Sequence, residues 1–137
     1  MFGRILLGYD GSEGAEKALE VALDIAKRYS AELHVISVAT IPEYYELREE
    51  LEVERARRYY GELLKHVREI AERIGMSIKT YLEFGKPSEE IVKKAKEIGA
   101  DLIVLGVKTK HPFDRRVLGG TGDKVVDYAH CSVLIVR

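Results

Sequence analysis

Arg4 to Tyr29, RILLGYDGSEGAEKALEVALDIAKRY, switches from the apolar run of a buried strand to the spacing of a helix across one Asp-Gly-Ser turn. Arg4 to Tyr9 (RILLGY) is almost continuously apolar, which fits a strand covered on both faces better than one with a wet side. Ser12 is placed to cap the next helix, and Ala15, Ala18, Leu19, Ala22, Leu23, Ile25 and Ala26 recur at helical spacing up to Tyr29. A doubly covered strand followed at once by an amphipathic helix is the first half of a parallel crossover.

The same alternation continues outward. Glu32 to Val38 (ELHVISV) reads as a second strand. From about Glu43 to Ile74, the stripe Leu47, Leu51, Leu63, Leu64, Val67, Ile70 and Ile74 predicts a long amphipathic helix ended by Gly75. Ser77 to Phe84 (SIKTYLEF) predicts a third strand, and Pro87 and Ser88 open a helix that closes at Gly99. Asp101 to Leu105 (DLIVL) and Ser132 to Val136 (SVLIV) supply two more strands, with a short helix from about Thr121 to Tyr128 between them. Strand and helix in strict alternation predict a parallel sheet with helices on both faces, because each crossover needs a helix and is right-handed. No repeat or low-complexity linker interrupts the pattern, so residues 1–137 are expected to form a single domain.

At 137 residues such a domain buries roughly two-thirds of its unfolded surface without disulfides or metal. The formal net charge of -1 argues against a whole-surface attraction to nucleic acid or to an anionic membrane. The apolar runs are too short to span a bilayer. Cys131 alone cannot form an internal disulfide, and no charged-then-apolar leader precedes the first strand, so a cytoplasmic location is expected. The chain has no Asn, Gln or Trp and abundant Glu, Lys and Arg, a composition shared with many thermophile proteins.

Open parallel sheets bind ligands at the carboxyl ends of their strands, near the point where strand order reverses. Tyr9–Ser12, Ser37–Thr40 and Gly106–Gly122 are expected to converge there. In the third segment, Gly119-Gly120-Thr121-Gly122 places side-chain-free residues just before a helix, where backbone amides and the helix dipole can face an anion. A tight loop-to-helix turn explains the glycines equally well.

The opening RILLGYDGSEGAEKALEVALDIA, the GADLIVLG strand and the closing LGGTGDKVVDYAHCSVLIVR together resemble a single-domain universal stress protein over the whole chain. The resemblance implies an α/β fold: an open five-stranded parallel sheet with helices on both faces, Rossmann-like and adenine-nucleotide α-hydrolase-like, with strand order 3-2-1-4-5. It also implies an adenine nucleotide, ATP with or without magnesium, held for sensing or regulation in a stress response. Asp10 and Val38 match the positions that meet the adenosine end, while Gly106, Gly119, Gly120, Thr121 and Gly122 lie where the phosphates run. Nucleotide-binding members carry G-x-x-G-x9-G-[ST]; here Gly106 and Gly119 match, but Thr109 stands at the second glycine and Gly120 replaces the hydroxyl residue. Losing a hydrogen bond to a charged group costs roughly 1.5 to 3 kcal/mol, or about tenfold or more in affinity.

That departure opens the alternative of a dimeric interaction module that has lost its nucleotide. Lys108, Lys110, Arg115 and Arg116 could instead neutralise a polyphosphate, or simply be a solvated loop face. As a turn residue, Asp10 has an equal claim to a local role, and Val38 to ordinary strand packing. His34, His66, His111 and His130 show no metal-ligand spacing, and no nucleophile, base and oxyanion set is legible, so at most slow ATP hydrolysis is expected. The resemblance further implies a homodimer through the last strand, Ser132, Val133, Leu134, Ile135 and Val136, besides a protein partner that the residues do not identify.

Overall fold

The computed structural model describes residues 1–40, 49–107 and 121–137. Nine elements alternate along the chain: β1 (Arg4–Gly8), α1 (Glu13–Tyr29), β2 (Glu32–Ala39), α2 (Glu49–Arg73), β3 (Ile78–Phe84), α3 (Pro87–Ile98), β4 (Leu102–Gly106), α4 (Thr121–Tyr128) and β5 (Ser132–Val136). All strand pairs are parallel, and the sheet order is β3-β2-β1-β4-β5, as expected.

β1 lies at the centre because both of its faces are apolar. Ile5 sits in register between Leu33 and Leu102, and Leu7 between Val35 and Val104. These side chains face α1 and α2, where Ala18, Ala22, Leu64, Val67 and Ala71 complete one core layer. Alanines on the buried stripe of α1 let its backbone lie close to the sheet. On the opposite face Leu6, Ile36, Ile103 and Leu105 pack against Ile91 and Ala95 of α3 and Val125 of α4.

Element ends follow backbone chemistry. Ser12 Oγ accepts from the Ala15 amide at 3.2 Å, capping α1 as its sequence predicts. Pro87 opens α3 without a side-chain cap from Lys86, and Gly99 closes it at φ 67°. β1 stops at Gly8, one residue short of the predicted Tyr9, although the Tyr9 amide still donates to the Ile36 carbonyl at 2.9 Å. β2 runs on to Ala39 because β3 continues to pair with it through Phe84.

The predicted stripe of α2 needs correction. Leu64 and Val67 are buried, but Leu51 is 50% and Ile74 44% exposed. The amino-terminal part of the helix projects past the buried Leu64–Ala71 stretch, with Val53 and Ala56 only half-buried, and Ile74 follows the carboxyl end of the helix. Leu47 lies outside the described residues. No helix among the described residues is long and apolar enough to cross a membrane.

The two sheet edges differ. Along β3, Arg68 Nη1 donates to Thr80 Oγ1 at 2.7 Å, the Arg57 guanidinium lies 5.6 Å from the Phe84 ring centroid, and Lys94 Nζ lies 4.5 Å from that of Tyr81. Charged side chains thus flank this edge strand. β5 leaves Val133, Leu134, Ile135 and Val136 half-buried.

Candidate functional site

A cavity of about 300 Å3 opens at the carboxyl ends of β1, β2 and β4. It lies where successive strands stop adding on one side of β1 and resume on the other, the position at which an open α/β sheet leaves a crevice. Asp10, Val38, Gly106, Thr121 and Gly122 all line it. Gly119 and Gly120 lie outside the described residues, as do Lys108, Thr109, Lys110, His111, Arg115 and Arg116.

The β1–α1 turn sets the position of Asp10. Its Oδ1 accepts from the Ser12 amide at 3.0 Å, and Gly11 between them takes φ 81°, a left-handed conformation that favours glycine. The turn leads directly into the capped start of α1. Ser12 and Ala15 of α1, Pro87 of α3, and Thr121 and Gly122 of α4 all reach the cavity, so three helix amino-terminal ends border it. Each contributes partial positive charge, which suits an anionic ligand.

Behind the turn, Ser37 Oγ donates to the Tyr9 carbonyl at 2.6 Å in a buried bond that ties the ends of β1 and β2 together. The Tyr9 hydroxyl donates to the Glu16 carboxylate, with His66 Nε2 3.9 Å from the same oxygen. Burial first, then the bond to Glu16 and nearby negative charge, raise Tyr9 well above the ordinary phenol range. The folded chain therefore holds a neutral phenol where the unfolded chain ionises near pH 10. This stabilisation is fully present below about pH 10 and is lost as pH rises toward the folded value. Tyr9→Phe should flatten the alkaline side of a melting-temperature curve between about pH 10 and pH 12; an unchanged slope would refute this coupling.

Gly106 has a packing role of its own. A Cβ built there would overlap the Gly14 carbonyl, and one built on Gly14 would overlap the carbonyl of Val107. The two glycines allow the start of α1 to lie against the end of β4, backbone to backbone. Gly106 thus shapes the cavity whatever the cavity holds.

Thr40, at the end of the expected Ser37–Thr40 segment, also lines the cavity, and Tyr59, Tyr60 and Pro87 line it from outside the segments expected there. Thr40 Oγ1 donates to the Gly85 carbonyl at 3.4 Å, linking the loops after β2 and β3. Tyr59 and Tyr60 come from the projecting part of α2, with ring centroids 5.0 Å apart at 85°. Two adjacent tyrosines within an otherwise charged helix face were the available signal.

Comparison with known proteins agrees with this architecture. The model of the universal stress protein family matches residues 1–137. A protein named as a universal stress protein in Staphylococcus haemolyticus is 38% identical, the match covering 99% of this chain and 85% of the relative. The solved structure of a universal stress protein from Lactobacillus plantarum superposes with a TM-score of 0.84 at 28% identity, covering 98% of this chain and 97% of the other. A universal stress protein solved in complex with cAMP shares the fold at 24% identity and a TM-score of 0.72, covering 99% and 97%.

Proposed function

This chain belongs to the universal stress protein family, and from that premise we propose that it binds an adenine nucleotide, ATP with or without magnesium, as a sensor or regulatory adaptor in a stress response. The observation carrying this reading is that Asp10, Val38, Gly106, Thr121 and Gly122, far apart in sequence, border one cavity at the strand-order reversal. The residues suit the ligand. Asp10 offers a carboxylate and Val38 its backbone polar groups to the adenosine end. Gly106, Thr121 and Gly122, with Gly119 and Gly120 beside them in sequence, are assigned to the phosphates, where the start of α4 supplies amides and dipole. Apolar side chains of Ile36, Ile91 and Ile135 supply the walls that a purine ring would occupy.

When bound, magnesium would neutralise part of the phosphate charge; the chain's own task is to bind and orient. No catalytic base is assigned, so turnover is expected to be slow at most. Thr109 and Gly120 favour a second reading, in which the nucleotide has been lost and only an interaction module remains. Denaturing the freshly purified protein and identifying released small molecules by mass spectrometry separates the two. A stoichiometric adenine nucleotide supports the first reading, and its absence together with failure to load ATP supports the second.

We also propose a homodimer through β5. Its half-buried apolar side chains occupy an edge, and the charged side chains that flank β3 have no counterpart in the hydrogen bonds and ion pairs of the described residues of β5. Light scattering at micromolar concentration should give the mass of two chains, and Val133→Glu should reduce it to one while circular dichroism retains the folded signal. A wild-type monomer would contradict the pairing.

A further inference from the structure

Tyr59 is 59% exposed yet lines the cavity, a combination that core packing does not explain. Its helix lies on the Ile5 and Leu7 face of the sheet, where Leu64 and Val67, further along the same helix, supply the buried contacts. From the opposite face, Pro87 and Ile91 of α3 border the same cavity. The opening is therefore a slot between an aromatic wall from α2 and an apolar wall from α3. Tyr60, half-buried, sets its ring edge-on to that of Tyr59, which holds the Tyr59 ring plane without covering both of its faces.

A flat, apolar-faced group with polar edges fits such a slot, since stacking uses the ring faces while Asp10 and the end of β2 remain at the rim for edge contacts. We propose that Tyr59 is the stacking residue for the nucleobase. This inference rests on the nucleotide reading above and adds the residue that recognises the base.

The test is a calorimetric titration of ATP and of ADP into wild type, Tyr59→Leu and Tyr59→Phe. Leucine has at least the helix propensity of tyrosine, and the replaced ring is exposed, so the unliganded variants should melt with wild type. Tyr59→Leu should weaken ATP and ADP by the same factor, about 5- to 150-fold, because base–aromatic stacking does not depend on phosphate number. Tyr59→Phe should stay within about twofold of wild type, since it keeps the ring. Wild-type binding with an unaffected Tyr59→Leu overturns the stacking role alone, as does a loss that differs between ATP and ADP. A wild-type chain that binds neither nucleotide overturns the nucleotide reading and this inference with it.

Discussion

Replacing Gly106 with valine is expected to lower the melting temperature by roughly 10 °C or more. A side chain at this position meets backbone, the Gly14 carbonyl and the Ala15 amide, and not the movable end of another side chain. Relief requires the start of α1 to move off the end of β4. That shift would strip contact from Ala15 and Ala18, which are almost wholly buried. Overpacking of this kind costs about 1 to 3 kcal/mol where neighbours can yield, and here they can yield little. In a domain of this size each kcal/mol shifts the midpoint by about 3 to 5 °C. Gly122→Ala is the matched control: a Cβ there would stand 3.7 Å from Ile135 Cδ1, an ordinary contact, and alanine favours the helix. Its midpoint should hold or rise. Equal losses in the two variants would mean that the glycines serve the loop rather than the α1–β4 contact.

Asp10→Ala is expected to weaken ATP binding about tenfold or more, the value of a hydrogen bond to a charged group. The carboxylate also accepts from the Ser12 amide, so the alanine variant loses a turn bond as well. Asp10→Asn separates the two roles. Its amide oxygen can still accept from Ser12, so its melting temperature should stay close to wild type while its ATP affinity falls. Parallel melting and calorimetry on the three proteins check this; unchanged affinity in both variants would remove Asp10 from the adenosine contact.

The reading of Arg4 to Tyr29 carried over to the structure nearly residue by residue, because a doubly buried strand and a capped amphipathic helix have distinct apolar periods. Strand ends moved by a residue where pairing with a neighbour decided the boundary, as at Ala39. Asp10, Val38, Gly106, Thr121 and Gly122 were legible as cavity positions because strand-end loops in a parallel sheet all open on one edge. Tyr59 and Tyr60 were not, since their place depends on how far α2 projects past its buried stretch, which periodicity does not encode. Nor was the Gly14–Gly106 contact, which joins two single glycines that are weak signals on their own.

His34 shows a third kind of limit. It occupies a core position of β2, 3% exposed, because Nδ1 meets the Tyr81 hydroxyl at 2.8 Å and Nε2 meets Glu32 Oε1 at 3.1 Å. The two rings stack at 3°. Its bond to Glu32 lowers that carboxyl below the usual range, assisted by Lys79 and Arg4 against a smaller opposing effect of burial. Glu32 lies two residues earlier on the same face of β2, but Tyr81 is brought in by pairing with β3, so no spacing within ELHVISV reveals that partner.

The central claim is that a cavity built at the reversal of strand order takes an adenine nucleotide despite Thr109 and Gly120. Calorimetric titration of ATP with magnesium into nucleotide-free protein tests it most directly. The account predicts saturable binding of one nucleotide per chain, with a Kd well below millimolar. Millimolar or absent binding by a folded chain would contradict it.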